Sequence, residues 1–370
     1  MKLTKFFAFA ISAFAFVGCT EPTPDQPGPA PLPEPTGNIT LTADNTAVII
    51  GETVTFTVVD GSGQDVTAVS QIYDPEFNEI AGGKFVAAET GKYSFFATCE
   101  GETSNTIVIS VMATKPELPA DPDASNFTFN HRPLVIDHTG VLCGYCPYAM
   151  DELLKLEASE WHGRYNEVTC HAGGYATGDP AASAAATILN QFQSSMISGY
   201  PSIVINFYTK LADYGVGSMK NGLNAVWKKN GAEVGIAMAV NGDTAAINCI
   251  AQIKSNESKN YYVNAWLLEN DIYSPNQANA NKDYHKIYNY ALRNFSETAS
   301  RASVAGLEIG TINAGESYEY GCSIPVISSS WNWENMGVLI VVSAKDSNNR
   351  IEVVNSAYCK VGESLEFEYL

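Results

Sequence analysis

The chain has 370 residues, with 40 aspartates and glutamates against 21 lysines and arginines and a formal net charge of −19 at pH 7. That charge makes nucleic acid and anionic lipid surfaces poor partners. The length suggests two or three domains, and the eight cysteines are too widely spaced to form a dense disulfide framework.

The first residues read MKLTKFFAFAISAFAFVGCT. Lys2 and Lys5 form a positive start, and the apolar run 6–17 is shorter than the roughly 20 residues a bilayer span needs. Residues 1–18 therefore read as a signal peptide. Their end, Phe16-Val17-Gly18-Cys19, resembles the lipobox of bacterial lipoproteins, with Phe16 where leucine is usual. The resemblance implies a lipid on Cys19 and a membrane anchor. With Thr20 and Glu21 following, and no aspartate directly after Cys19, it also implies transport to the outer membrane. Glu21 and Asp25 faintly resemble surface-export signals. Residues 19–37 hold seven of the 17 prolines. Such a segment prefers extended polyproline II, about 3.1 Å per residue, and reads as a stalk.

Residues 38–113 are short runs rich in Val, Ile, Thr and Phe, punctuated by glycines such as Gly51, Gly63, Gly91 and Gly101. Regular strand spacing with turn signals predicts a β-sandwich. Glu89-Thr90-Gly91-Lys92-Tyr93 resembles the tyrosine corner of immunoglobulin-like folds, in which a tyrosine hydroxyl pins a loop. Residues 114–126 hold three prolines and form a linker.

Residues 127–231 alternate between strand and helix. Strands are predicted at 133–137, 167–171 and 202–207, and helices at 147–158, 180–196 and 219–229. That order predicts parallel strands joined by crossovers, an α/β domain. From 232 to 370 β pattern returns, with a hairpin signal at Asn241-Gly242-Asp243. This part reads as a C-terminal antiparallel β-sandwich carrying a long insertion, 271–301, rich in aromatics. The fold class is thus multidomain, α/β plus all-β.

The chemistry concentrates in LVIDHTGVLCGYCP, residues 134–147. A C-x-x-C of this kind is a redox pair, half of a metal site or a structural clip. Between a strand and a helix it places Cys143 at a helix N-terminus, where unpaired N–H groups and the helix dipole stabilise a thiolate. Cys143 is then the attacking nucleophile, and Cys146, a turn further in and less accessible, the resolving thiol.

Two further features accompany the motif. Asp137 lies six residues before Cys143, and Tyr200-Pro201 immediately precedes the apolar run SIVINF. In this combination the region resembles the thioredoxin-like superfamily. The resemblance implies that Asp137 is buried with a raised pKa and relays the proton of Cys146. It also implies a cis Tyr200–Pro201 bond whose backbone pairs with substrate. Tyr200, Pro201, Tyr145 and His171 become candidate substrate contacts. Leu142 stands where thioredoxin carries tryptophan, and Gly144-Tyr145 where it carries Gly-Pro. These departures leave the redox potential open, because the intervening dipeptide tunes it.

Lipobox, stalk, T-G-x-x-C-x-x-C-P (139–147), His171-Ala172-Gly173, Gly199-Tyr200-Pro201-Ser202 and a β-rich C-terminal half also occur together. From about Phe127 onward the chain resembles the outer-membrane-protein-28 family of envelope lipoproteins. That resemblance implies surface exposure and an adhesin or receptor role.

Other constellations are weaker. His171 with Cys143 and Cys146 has the chemistry of a soft-metal site. With a single C-x-x-C and no second pair at zinc spacing, the reading retained has no metal and no cofactor. His138 faces the opposite side of its strand from Asp137 and reads as structural. Cys99, Cys170, Cys249, Cys322 and Cys359 read mostly as small apolar residues, with one disulfide among the last three left open. Trp331 and Trp333 read as core packing, or as exposed stacking platforms. Two functions remain. One is thiol–disulfide exchange on envelope or surface proteins. The other is adhesion, with Cys143–Cys146 a static disulfide.

Overall fold

The computed structural model describes residues 37–297 and 304–370. The predicted signal peptide, the lipidation site Cys19 and the stalk up to residue 36 lie outside the described residues. Among the described residues no helix is long and apolar enough to cross a membrane.

The front region is a β-sandwich. A three-stranded sheet, Thr40–Ala43, Thr53–Val59 and Lys84–Val86, faces a second sheet built on Gly91–Cys99 and Ile107–Met112. Alternation dictates this packing. In TVTFTVV, Val54, Phe56 and Val58 point inward and the threonines outward. Phe56 and Phe95 meet at 4.9 Å in the shared core. The Tyr93 hydroxyl donates to the Glu89 carbonyl at 3.0 Å, the loop-pinning contact the sequence implied. Tyr93→Phe should therefore lower stability by about 1 kcal/mol. A thermal midpoint equal to that of the wild type would mean that water replaces the bond at no cost.

The sandwich rests on the C-terminal region. Lys115 donates to the Ala47 carbonyl at 2.9 Å and pairs with Glu319 at 2.8 Å. Ala47 and Met112 pack against Ala239 and Ile250.

A nine-stranded sheet organises the rest. Its order is Thr209–Lys210, Ser202–Ile205, Leu134–Thr139, Asn166–His171, Ala291–Phe295, Lys259–Glu269, Met336–Lys345 and Ile351–Lys360, with Leu307–Ile312 also pairing Lys259–Glu269. Leu134–Thr139 is buried along its whole length, as a strand covered on both faces must be. It runs parallel to Asn166–His171, as expected. Ser202–Ile205 instead runs antiparallel to it, a correction to the all-parallel expectation. The cause is the point of entry. Ser202 lies opposite His138, at the edge where the C-x-x-C loop leaves the sheet, so the chain has only the return direction open. Ala291–Phe295 then pairs parallel with Asn166–His171, so one sheet draws strands from both sides of residue 231.

Helix α1 (Cys146–Glu157) carries Pro147 in its first turn, where the missing N–H costs nothing. It buries Leu153 and Leu156 beside Val135, Met219 and Leu223, the last two from α3 (Val216–Val226). Helix α2 (Ala184–Phe192) covers the opposite face with Ala185, Ala186 and Leu189. It starts later than predicted because the Ser183 hydroxyl caps it, accepting from Ala186 N–H at 2.9 Å.

The antiparallel half of the large sheet packs against a four-stranded sheet, Ser317–Pro325, Ala246–Ser255, Val234–Gly242 and Ser364–Leu365. Cys249 sits opposite Cys322 in register. These two, with Cys99, Cys170 and Cys359, are buried free thiols. The Arg293 guanidinium lies over the Trp331 ring at 5.2 Å, and both Trp331 and Trp333 pack at the rim of this core.

Candidate functional site

The loop that follows Leu134–Thr139 is built to hold a tight turn. A Cβ on Gly140 would fall 2.6 Å from the Tyr175 carbonyl oxygen, so only glycine fits. That same carbonyl accepts from Leu142 N–H at 2.9 Å. Asp179 braces the loop from below. Its Oδ2 accepts from Val141 N–H at 2.8 Å and bonds His171 Nδ1 at 2.8 Å, and its Oδ1 takes Ala181 N–H. Burial pushes the Asp179 pKa up, but the bonds from His171 and the two amides outweigh it and hold the carboxyl low. His171, expected at the substrate edge, is thus a buried brace whose ring lies 4.5 Å from Tyr288.

Cys143 and Cys146 are joined by a disulfide, with Cα atoms 5.4 Å apart. Helix α1 begins at Cys146. Cys143 therefore lies in the turn before the helix and not in its first turn. The predicted difference in accessibility is also absent, because Cys143 is 1 % exposed and Cys146 0 %.

The cover comes from the aromatic insertion. Ala278 N–H donates to the Val141 carbonyl at 2.8 Å, Gln277 Nε2 to the Cys143 carbonyl at 3.0 Å, and Asn279 Nδ2 to the Gly144 carbonyl at 3.1 Å. Three successive residues thus strap the C-x-x-C loop. The Tyr288 hydroxyl holds Gln277 Oε1 at 2.7 Å. The strap's far end is tied to α1. Lys282, Tyr284 and His285 all bond the Asp151 carboxylate, at 2.7 to 3.0 Å. Burial alone would raise the Asp151 pKa, yet these three partners hold it well below the usual carboxylate range.

Around the strapped disulfide, Leu142, Tyr145, Tyr148 and Tyr175 are exposed. Tyr145 is 67 % exposed, so the residue between the cysteines faces solvent. The Tyr200–Pro201 bond is cis. The Tyr200 ring lies tilted against Tyr175 with centroids 5.4 Å apart, and its hydroxyl donates to Asn190 Oδ1 at 2.7 Å. Gly173 has φ +68° and a Tyr200 hydroxyl 3.0 Å from where a Cβ would lie, which explains glycine after His171-Ala172.

Asp137 lies in the buried strand with its carboxyl under α1. It is 1 % exposed, its Oδ1 has no hydrogen-bond partner, and burial pushes its pKa up to about 7. Glu167, two residues before Thr169, which lies opposite Asp137, faces the same space. Burial first, and then the Asp137 and Glu157 charges, push Glu167 up to about 8. Both line a cavity of about 640 Å³ between α1, the sheet and the insertion. His138 points to the other face, where Nε2 bonds Gln193 at 2.7 Å and burial lowers its pKa to about 4.

Sequence reasoning missed Asp179, Glu167 and the strap. Glu167 was legible in principle, since 167, 169 and 171 alternate onto one face. Asp179 before Pro180 carried only a turn signal. Gln277, Ala278 and Asn279 carry no local mark at all.

A family model described as outer membrane protein Omp28 matches residues 189–364. No match was found among curated protein sequences. Among solved structures, HBP35 of Porphyromonas gingivalis is similar with a TM-score of 0.51 and 15% identity, over 65% of this chain and 78% of that one. At that identity the likeness is one of fold.

Proposed function

We propose that this chain is an outer-membrane lipoprotein whose middle region is a thioredoxin-like unit that exchanges disulfides with envelope or surface proteins. The observation that carries the reading is one juxtaposition. A Cys143–Cys146 disulfide leaves the end of a buried strand, that strand holds an uncompensated carboxyl at Asp137, and the neighbouring strand begins at a cis Tyr200–Pro201 bond. The strand order Thr209–Lys210, Ser202–Ile205, Leu134–Thr139, Asn166–His171, with α2 on one face and α1 and α3 on the other, also supports it. The Tyr93 contact supports an immunoglobulin-like front module that acts as a spacer. The match to the outer membrane protein model supports the envelope location.

From the oxidised state the steps balance as follows. A substrate thiolate attacks Cys143 Sγ, forming a mixed disulfide, and Cys146 leaves as a thiolate that takes a proton relayed by Asp137. A second substrate thiolate then attacks the substrate sulfur, and Cys143 leaves as a thiolate that takes a proton from solvent. The substrate is oxidised to a disulfide and the chain reduced to a dithiol. Leu142, Tyr145 and Tyr175 offer an apolar rim for the substrate, and the strap over Cys143 must be displaced first.

A second reading rests on the burial of Cys143 under that strap. In it the disulfide is a static clip in a surface adhesin or receptor. A glutathione redox titration of Cys143–Cys146 separates the two. A midpoint between roughly −270 and −120 mV is expected for an exchange catalyst, and Cys146→Ser should then trap mixed disulfides with its substrates. A midpoint below about −300 mV would mark a structural bond and sink the exchange reading.

A further inference from the structure

The cavity beneath α1 has no part in the exchange chemistry beyond Asp137, and its lining is chemically specific. Its volume, about 640 Å³, is that of a small-molecule site. Four carboxylates line it, those of Asp137, Glu157, Glu167 and Asp271. Asp137 is 1 % exposed at the inner wall, with Oδ1 unpartnered, and Glu167 stands beside it. The Glu157 side chain, 49% exposed, accepts from the Tyr165 hydroxyl at 3.1 Å with one oxygen and bonds His162 Nδ1 at 2.6 Å with the other, so an ammonium there would share or displace the exposed His162 contact.

The basic side chains that line the space, Arg132 and His171, are committed elsewhere. Arg132 is bound to the Glu368 carboxylate and the Gly163 carbonyl, and His171 Nδ1 to Asp179. Among the described residues no lysine lines the cavity. Tyrosine rings, including those of Tyr288 and Tyr290, line the same space. A desolvated charge is costly, so Asp137 and Glu167 hold their protons toward neutral pH; an ammonium beside them would favour the ionised form, and aromatic faces attract ammonium groups.

We propose that this cavity binds a linear aliphatic diamine or polyamine, with one ammonium at Asp137 and Glu167 and a second at Glu157. Neither cysteine lines the cavity, so binding does not require disulfide exchange, although a ligand on Asp137 would occupy the acid proposed above as the proton relay. Titration calorimetry of cadaverine and spermidine into the full chain in detergent, at physiological ionic strength, tests it. Saturable one-site binding is expected, with pentanediol, the neutral analogue of cadaverine, failing to bind. Glu167→Gln should weaken cadaverine by about tenfold, while Glu117→Gln, at an exposed position far along the linker, should leave it unchanged. Glu157→Gln should weaken cadaverine and spare the monoamine pentylamine. This second variant changes only a partly exposed side chain, so folding does not confound it. No saturable binding would overturn the proposal. So would equal losses in Glu167→Gln and Glu117→Gln, which would assign the binding to the diffuse negative charge of the chain.

Discussion

Asp137→Asn is expected to make the protein more stable than the wild type near neutral pH, by roughly 4 kcal/mol, and to leave it about equal near pH 4. The Asp137 carboxyl titrates at about 7 in the folded chain, because burial disfavours its charge, and near 4 when unfolded. Between those values the folded state keeps a proton that the unfolded state has lost. Stability therefore falls as pH rises through this window, by about 1.4 kcal/mol per unit, and levels off above the folded value. Asparagine keeps the shape and removes the titration. Part of the slope remains, because burial still raises Glu167 with the same sign, by less once the Asp137 charge is gone. Urea denaturation of both proteins across this range is the check. A stability difference that does not change with pH would mean that Asp137 is not the buried, uncompensated acid described here. If Asp137 also relays the proton of Cys146, the same variant slows exchange while it stabilises the fold. A purely structural acid would give the second effect without the first.

Asp151→Ala should accelerate reduction of Cys143–Cys146 by a small thiol about tenfold or more. Asp151 is the common acceptor for Lys282, Tyr284 and His285. Its loss unfastens the end of the strap whose other residues cover Cys143. Three bonds to one partly exposed carboxylate hold the strap by about 1–2 kcal/mol after solvent screening, which is the size of the expected rate change. Asp151 bonds Lys282, Tyr284 and His285 and neither cysteine, so the disulfide itself is unaltered and its equilibrium potential should shift little. Stopped-flow reduction followed by thiol labelling reads the rate. An unchanged rate would show that Cys143 is reached without moving the strap, and that its burial places no barrier before exchange. Read with the redox titration, the two results divide a gated catalyst from a static clip.

Much of the middle region was legible in advance because its determinants are local. Apolar runs, Pro147 in a first helical turn and Gly140 in a tight loop act within a few residues. The cis bond at Tyr200–Pro201 and the burial of Asp137 were implied by the thioredoxin-like resemblance, and both are present. The direction of Ser202–Ile205 was misread because strand pattern carries no sign of direction. Only the meeting of Ser202 with His138 decides it. The helix at Cys146 was read nearly to the residue, but the expected difference in accessibility between Cys143 and Cys146 is absent.

The sequence by itself determined the motif, its loop, the helix that follows and the acid behind it, since short-range sterics and hydropathy encode each of these. The tertiary structure alone decided whether the cysteines can be reached and what surrounds the acid. Gln277, which covers Cys143, lies 134 residues further along the chain. The strand Ala291–Phe295 that completes the parallel pairing comes from still later. Such contacts are fixed by the closure of a shared sheet and core, where backbone groups find partners across long stretches of chain, and no local pattern in a segment records which distant surface it will cover.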